Sequence, residues 1–145
     1  LKDNGAFKAS LCNQFRSNAL KAIKKINPNL VVISNFEHYQ ALKISDYTAI
    51  TPYGFKHLLI RDTPWPNKDI PTCLSSKRSC DTPKPVKIQY TDPEIFDPNQ
   101  YLCSSKCPAV VDGLVAYRDQ THISVAMSEH LAPELGKKLD SLVAR

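Results

Sequence analysis

Apolar residues recur at intervals of three and four along residues 10–26, which is the spacing of one face of an α-helix. Lys21, Lys24 and Lys25 lie on the opposite side. The Asn-Pro-Asn sequence at 27–29 ends the pattern, because both residue types favour turns over helix continuation. The pattern therefore predicts an amphipathic helix. Its apolar face comprises Leu11, Phe15, Ala19, Ala22, Ile23 and Ile26.

Two short, continuous apolar runs follow this helix. Residues 30–33 read Leu-Val-Val-Ile, and their β-branched side chains are typical of a strand buried on both faces of a parallel sheet. His57–Ile60 is the second run. A helix, a tight turn and a buried strand in succession indicate the α/β class.

Proline dominates the middle of the chain. Residues 64–109 contain most of the 11 prolines, which forbid long helices there. We expect an irregular excursion with one strand, either at residues 86–90 or at Ile95–Phe96.

Regular elements return towards the C-terminus. Residues 114–117 are the next predicted strand, after an Asp112-Gly113 turn. Ser124 is placed to cap a short helix through residue 131, and Pro133 suits the first turn of a separate final helix. The apolar face of that helix would carry Leu135, Leu139, Leu142 and Val143.

The length of the chain and its charge limit the classes of protein to which it can belong. A chain of 145 residues suits one domain, and it contains no run of 18 apolar residues that could span a membrane. It begins at Leu1 without a secretory signal, so we expect that a preceding segment has been removed. The net charge is +5, but the lysines are scattered and do not alternate with aromatic residues. This distribution favours solvated lysine faces over a nucleic-acid surface.

The five cysteines suggest an oxidising compartment. Cys73 with Cys80, and Cys103 with Cys107, can each close a small loop by a disulfide. The alternative is a zinc site, but the spacings differ from paired CxxC knuckles and no histidine lies near either pair. Cys12 remains unpaired in this chain, with its partner expected upstream.

The residue types with the clearest chemical potential are Asp119 and His122. They lie between a predicted strand end and a predicted helix start, where α/β sheets place their sites. A carboxylate bonded to one imidazole nitrogen fixes the tautomer, and the other nitrogen can then deprotonate a hydroxyl. The spacing alone is weak, since Asp-x-x-His also occurs by chance and beside structural histidines.

The sequence around this pair resembles the C-terminal part of the SGNH domain fused to membrane acyltransferases of acyltransferase family three in bacteria, especially actinobacteria. The resemblance rests on Cys-Ser-Ser-Lys-Cys-Pro at 103–108, Tyr-Arg-Asp-Gln-Thr-His-Ile-Ser at 117–124 and Leu-Ala-Pro at 131–133. Asp-Thr-Pro-Trp-Pro at 62–66 and Ile-Pro-Thr-Cys-Leu at 70–74 resemble the middle section of that domain. The similarity covers most of the chain.

This resemblance implies a three-layer α/β/α fold of the SGNH-hydrolase or flavodoxin-like type, with a disulfide-pinned irregular insertion. It implies an extracytoplasmic O-acyl (usually acetyl) transferase or esterase that modifies cell-surface glycans through Ser-His-Asp chemistry. His122 would be the general base and Asp119 its orienting partner. The partners would be an acyl donor, a glycan acceptor and an upstream membrane acyltransferase domain that anchors the parent protein in the cell envelope. No cofactor, metal or nucleic acid is expected.

The chain departs from the family pattern at the nucleophile. The family has a Gly-Asp-Ser turn near the start of the domain, and this sequence has none. Asp140-Ser141 is rejected because it lies inside the last predicted helix. Residues 1–145 are therefore interpreted as a partial domain without its N-terminal, nucleophile-bearing segment, and inactive alone. Asn35 after the first strand is the candidate oxyanion donor, although a turn-forming role suits it better.

Other interpretations remain open. His38, His57 and His130 fit structural roles better than catalytic ones, and Trp65 suits loop packing better than substrate stacking. The main functional alternative is a non-catalytic, disulfide-stabilised cell-surface or carbohydrate-binding module. The third hypothesis is a zinc-binding interaction domain.

Overall fold

A computed structural model describes residues 9–34, 54–76, 79–85 and 94–144. The candidate oxyanion residue Asn35, His38 and the possible strand at 86–90 lie outside these ranges. The helices are α1 (Ala9–Ile26), α2 (Ile70–Ser75), α3 (Asn99–Leu102) and α4 (Val125–Val143). The strands are β1 (Val31–Ser34), β2 (His57–Ile60), β3 (Thr82–Pro83), β4 (Ile95–Phe96), β5 (Lys106–Cys107), β6 (Val110–Val111) and β7 (Leu114–Val115).

Three strands form a parallel sheet in the order β1-β2-β4. β2 is the central strand, paired on both edges, and its Leu58 and Leu59, which point to opposite faces of the sheet, are both buried. The α/β class and the parallel sheet predicted from the apolar runs are confirmed.

The prediction that the first strand is buried on both faces is wrong for the described residues. Alternate positions of β1 are exposed, and the side chain of Val32 is 48% accessible. Among the described strands β1 pairs only with β2, so the other edge of β1 has no hydrogen-bonded neighbour there. The face of β1 that carries Val32 is also left exposed by the described residues.

Helix α1 has the predicted span, but its apolar face is not covered by the described residues. Leu11, Phe15 and Ile26 are 56%, 75% and 72% exposed. The apolar face of α1 and the free edge of β1 are two surfaces that the described part of the chain leaves unpacked.

The proline-rich section is held by local pairing and two disulfides. β3 pairs antiparallel with β5, and the bonds Cys73–Cys80 and Cys103–Cys107 both form. Their sulfurs are thereby unavailable to zinc. This section also contains two helices that the sequence did not predict, α2 and α3. They are only six and four residues long, which agrees with the expectation that the prolines forbid long helices. The Asp69 side chain caps α2 by accepting a hydrogen bond from the Thr72 amide.

The hairpin β6-β7 turns at the predicted Asp112-Gly113 pair, where both residues have positive φ (50° and 80°). This conformation matches the twist of a two-residue hairpin and explains the glycine. The strand predicted at 114–117 is shorter, because β7 ends at Val115 and Tyr117 forms only an isolated bridge with Ile123.

One long helix, α4, replaces the two predicted at the C-terminus. Ser124 caps it as predicted, accepting a hydrogen bond from the Met127 amide at 3.1 Å. Pro133 lies inside the helix and does not break it. Proline there removes one backbone donor, and packing on both sides of it offsets that loss. Met127 and Leu131 join the core around Tyr117, whereas Leu142 packs with Leu58 and Phe96 beneath the sheet.

Candidate functional site

A tight connection between β7 and α4 presents Asp119 and His122. The Arg118 amide donates to the His122 carbonyl at 3.0 Å, and the Ser124 amide donates to the Ala116 carbonyl at 2.9 Å. Tyr117, bridged to Ile123, is fully buried at the base, and burial raises the pKa of its phenol to about 12. The connection is therefore a closed, anchored loop.

The two predicted residues lie in direct contact. His122 Nδ1 is 2.9 Å from Asp119 Oδ2 and 3.0 Å from Oδ1. Because an ionised carboxylate can only accept hydrogen bonds, this contact selects, for a neutral imidazole, the tautomer with the proton on Nδ1 and the lone pair on Nε2. The imidazole is 61% exposed, so Nε2 can approach a substrate or a nucleophile.

Backbone and side-chain donors hold the Asp119 carboxylate in place. Oδ1 accepts from the amides of Thr121 and His122, both at 2.8 Å, and from the Thr121 hydroxyl at 3.2 Å. The Thr121 amide, followed by the His122 side chain and amide, holds the pKa of Asp119 well below its usual range. Arg118 Nε lies 3.5 Å from Oδ2. Asp119 is thus an ionised group, fixed towards the imidazole.

This environment predicts an unusual acid titration. The folded-state pKa of Asp119 is depressed, so its carboxylate favours folding at pH values above its unfolded pKa of about 3.9. That contribution is lost as the pH falls below about 3.9 towards the folded-state value. We expect the ¹³Cγ NMR signal of Asp119 to show no titration midpoint between about pH 5 and pH 3, where an unperturbed aspartate titrates. A midpoint near pH 4 would contradict the contacts described above.

His122 opens onto a groove of about 630 Å³. Asp62 and Thr63, which follow the carboxyl end of β2, line this groove. The carboxyl ends of the strands form the edge where open parallel sheets bind ligands. The groove is lined by Asp62, Thr63, Trp65, Arg118, Thr121, His122, Ile123, Ser124, Val125 and Ser128.

A network of polar side chains supports the part of the groove that Asp62 and Thr63 line. Buried Arg61 pairs with Asp97 at 2.9 Å, joining the carboxyl ends of β2 and β4. The Asn99 amide group donates to the Asp62 carbonyl at 3.0 Å and to Asp97 Oδ1 at 2.7 Å. Arg61, Asp97 and Asn99 are not among the residues predicted from the sequence. Arg61 and Asp97 directly follow the apolar residues of β2 and β4, which is a weak signal, whereas Asn99 has no such signal.

The remaining histidines and the rejected serine lie in other contacts. His57 Nδ1 is 3.3 Å from the Phe55 carbonyl, and His130 Nε2 is 3.0 Å from Asp112 Oδ2. Ser141 donates to the Lys138 carbonyl inside α4. None of these three residues lines the groove. The described ranges contain no cluster of three or more potential metal ligands and no helix with the length and apolarity of a membrane span.

Comparisons with known proteins identify the family and the fold of this chain. A family model described as the SGNH domain (fused to AT3 domains) matches residues 2–137. The solved periplasmic domain of a lipopolysaccharide acetyltransferase from Salmonella ser. Paratyphi A is similar, with a TM-score of 0.57 and 18% sequence identity. The match covers 85% of this chain and 61% of that domain, and it shows a shared fold. A search of curated proteins found no match.

Proposed function

This chain belongs to the family of SGNH domains fused to AT3 domains, and from that premise we propose that it supplies the acid/base half of an O-acyltransferase or esterase site. The acyl group is proposed to be acetyl, and the acceptor a hydroxyl of a cell-surface glycan. The proposed partner is a membrane acyltransferase domain of the same protein. Two disulfides fit the extracytoplasmic location that this role requires.

The observation that carries the proposal is the arrangement of Asp119 and His122. The carboxylate contacts Nδ1 at 2.9 Å, and the ring lines a groove beside the carboxyl end of the central strand. A buried structural histidine would have neither the open groove nor the exposed second nitrogen. Asp119 and His122 can together form a general base that is oriented by a fixed carboxylate, which is one part of an acyl-transfer site.

In the proposed mechanism, His122 Nε2 removes the proton from a serine hydroxyl as its Oγ forms a bond to the carbonyl carbon of the acyl donor. Asp119 stabilises the imidazolium without accepting the proton. The tetrahedral intermediate then expels the donor's leaving group, which takes the proton from Nε2. A glycan hydroxyl or water attacks the acyl-serine in the same way, with His122 again accepting and returning the proton.

The serine is proposed to come from outside residues 1–145. In the groove, Ser124 is already engaged, because its hydroxyl donates to the Val115 carbonyl and accepts from the Met127 amide. The Thr121 hydroxyl contacts Nδ1, which is the wrong ring nitrogen. The edge of β1 that no described strand pairs with, and the exposed apolar residues of α1, are suitable surfaces for a strand and turn that carry a Gly-Asp-Ser nucleophile.

The proposal predicts that the 145-residue chain hydrolyses p-nitrophenyl acetate no faster than an equal concentration of free imidazole, which attacks this activated ester directly. Imidazole without a serine nucleophile and an oxyanion site lacks the groups that give most of the acceleration. The assay follows p-nitrophenolate release at neutral pH. Hydrolysis that depends on His122, and that is lost in Ser128→Ala, would move the nucleophile into this chain and contradict the proposal.

A further inference from the structure

Trp65 is the large aromatic side chain in the groove, and its setting is unusual for a packing residue. Its neighbours Pro64 and Pro66 are both buried, which fixes the backbone on either side. The indole Nε1 is buried, yet the residue is partly exposed and lines the groove. Because Nε1 is the only polar atom of the side chain, the indole surface that faces solvent is hydrocarbon.

The charges and hydroxyls around Trp65 suit an uncharged, hydroxyl-rich ligand. Asp62 and Arg118 are the fully charged residues of the lining, and their formal charges cancel. Hydroxyls from threonine and serine complete the polar part of the lining, at Thr63, Thr121, Ser124 and Ser128. A flat apolar surface surrounded by a few polar groups is the usual composition of a small-ligand site.

We propose that Trp65 is a stacking platform for an uncharged pyranose ring in the groove that contains His122. The axial C–H face of a β-linked glucose-type sugar would lie on the indole, and its hydroxyls would reach the Asp62 carboxylate and neighbouring hydroxyls. The Asp62 carboxylate is held by the Thr63 amide at 2.9 Å, and the Asp62 carbonyl by Asn99 at 3.0 Å. This inference rests on the proposed function, and it names the class of acceptor that the groove takes.

Trp65 is the single tryptophan of the chain, so fluorescence excited at a wavelength that the 6 tyrosines do not absorb reports on this position alone. The probe is a β-1,4-linked glucose trisaccharide, titrated into the full 145-residue chain. Sorbitol is the control, since it has a similar density of hydroxyls without a ring face. We expect a saturable change in emission with the trisaccharide and none with sorbitol. No saturable change with the trisaccharide overturns the proposal.

Variants separate stacking from other binding, with saturation-transfer NMR as the readout. Trp65→Ala is expected to weaken trisaccharide binding at least about tenfold, and Trp65→Phe by less, because phenylalanine keeps a smaller ring face. Phe15→Ala is the matched control, because Phe15 is 75% exposed on α1 and lies outside the groove. Trisaccharide binding that is unchanged in Trp65→Phe and Trp65→Ala, or equally weakened in Phe15→Ala, overturns the proposal.

The same titration distinguishes this inference from the proposed catalytic role. His122→Ala is expected to keep trisaccharide affinity within about twofold, because stacking on Trp65 does not need the imidazole. Saccharide binding without any acyl transfer in the full-length protein would support the platform and count against the catalytic proposal. Acyl transfer without a Trp65-dependent affinity would do the reverse.

Discussion

Replacing His122 with alanine is expected to lower acyl transfer about 10²–10⁴-fold in a protein that carries both this chain and a serine nucleophile. The loss should appear in kcat as well as kcat/KM, because proton transfer occurs only as the transition state forms. Asp119→Asn is expected to approach the same loss, since an amide can bond the other imidazole tautomer and leave Nε2 protonated. Transfer of a radiolabelled acetyl group to glycan acceptor measures both effects.

A second histidine–carboxylate pair provides the control for this experiment. His130 Nε2 lies 3.0 Å from Asp112 Oδ2, nearly the distance found between His122 and Asp119, but it lies outside the groove. His130→Ala is expected to leave acyl transfer unchanged. Equal losses in His122→Ala and His130→Ala would indicate a general effect on folding and would remove the argument for a catalytic His122.

Reducing the two disulfides is expected to destabilise the fold strongly. Cys80, Cys103 and Cys107 are buried in the core cluster that includes Tyr117. The sequence separations of 7 and 4 residues correspond to about 2–2.5 kcal/mol for each closed loop in the chain-entropy account. The sum, about 4 kcal/mol, is a large share of the stability of an ordinary domain, and it corresponds to a fall in Tm of roughly 8–16 °C.

Thermal unfolding followed by circular dichroism, with and without reductant, measures this effect. Two double variants, Cys73→Ser/Cys80→Ser and Cys103→Ser/Cys107→Ser, are each expected to lower Tm. Reductant should then lower the Tm of each double variant by less than it lowers the Tm of the unaltered chain, because only one of the two disulfides is left to reduce. Cys12→Ser is the matched control and should leave Tm unchanged, because neither disulfide includes Cys12. A Tm that does not respond to reductant would contradict the disulfides.

Elements with strong local signals could be predicted from the sequence. The periodicity of residues 10–26 predicted α1, and the continuous apolar run at His57–Ile60 indicated the strand that the structure shows as β2. Ser124 was recognised as a cap because its side chain satisfies amides at the start of the helix. The Asp112-Gly113 turn followed from the backbone conformation that glycine permits.

The errors came from tertiary context. Pro133 suggested a new helix, but α4 continues through it because its two halves pack on separate clusters. The apolar run at β1 predicted burial on both faces, whereas burial depends on what packs over each face, and the described residues leave Val32 48% exposed.

The candidate site was only partly visible in the sequence. The three-residue spacing of Asp119 and His122 suggested that they meet, and the structure brings them to 2.9 Å. The groove was not predictable from spacing, because Asp62 and Trp65 precede His122 by more than 50 residues and reach it only through the sheet. The network of Arg61, Asp97 and Asn99 is equally long-range.

Labelling with a fluorophosphonate, followed by peptide mass spectrometry, tests the central claim most directly, because the reagent marks serines activated by a neighbouring base. The 145-residue chain alone is expected to remain unlabelled. A protein that joins it to a Gly-Asp-Ser segment is expected to be labelled once, at that serine, and not in its His122→Ala variant. Labelling of Ser128 or any other serine within residues 1–145, or labelling that is independent of His122, would contradict the account.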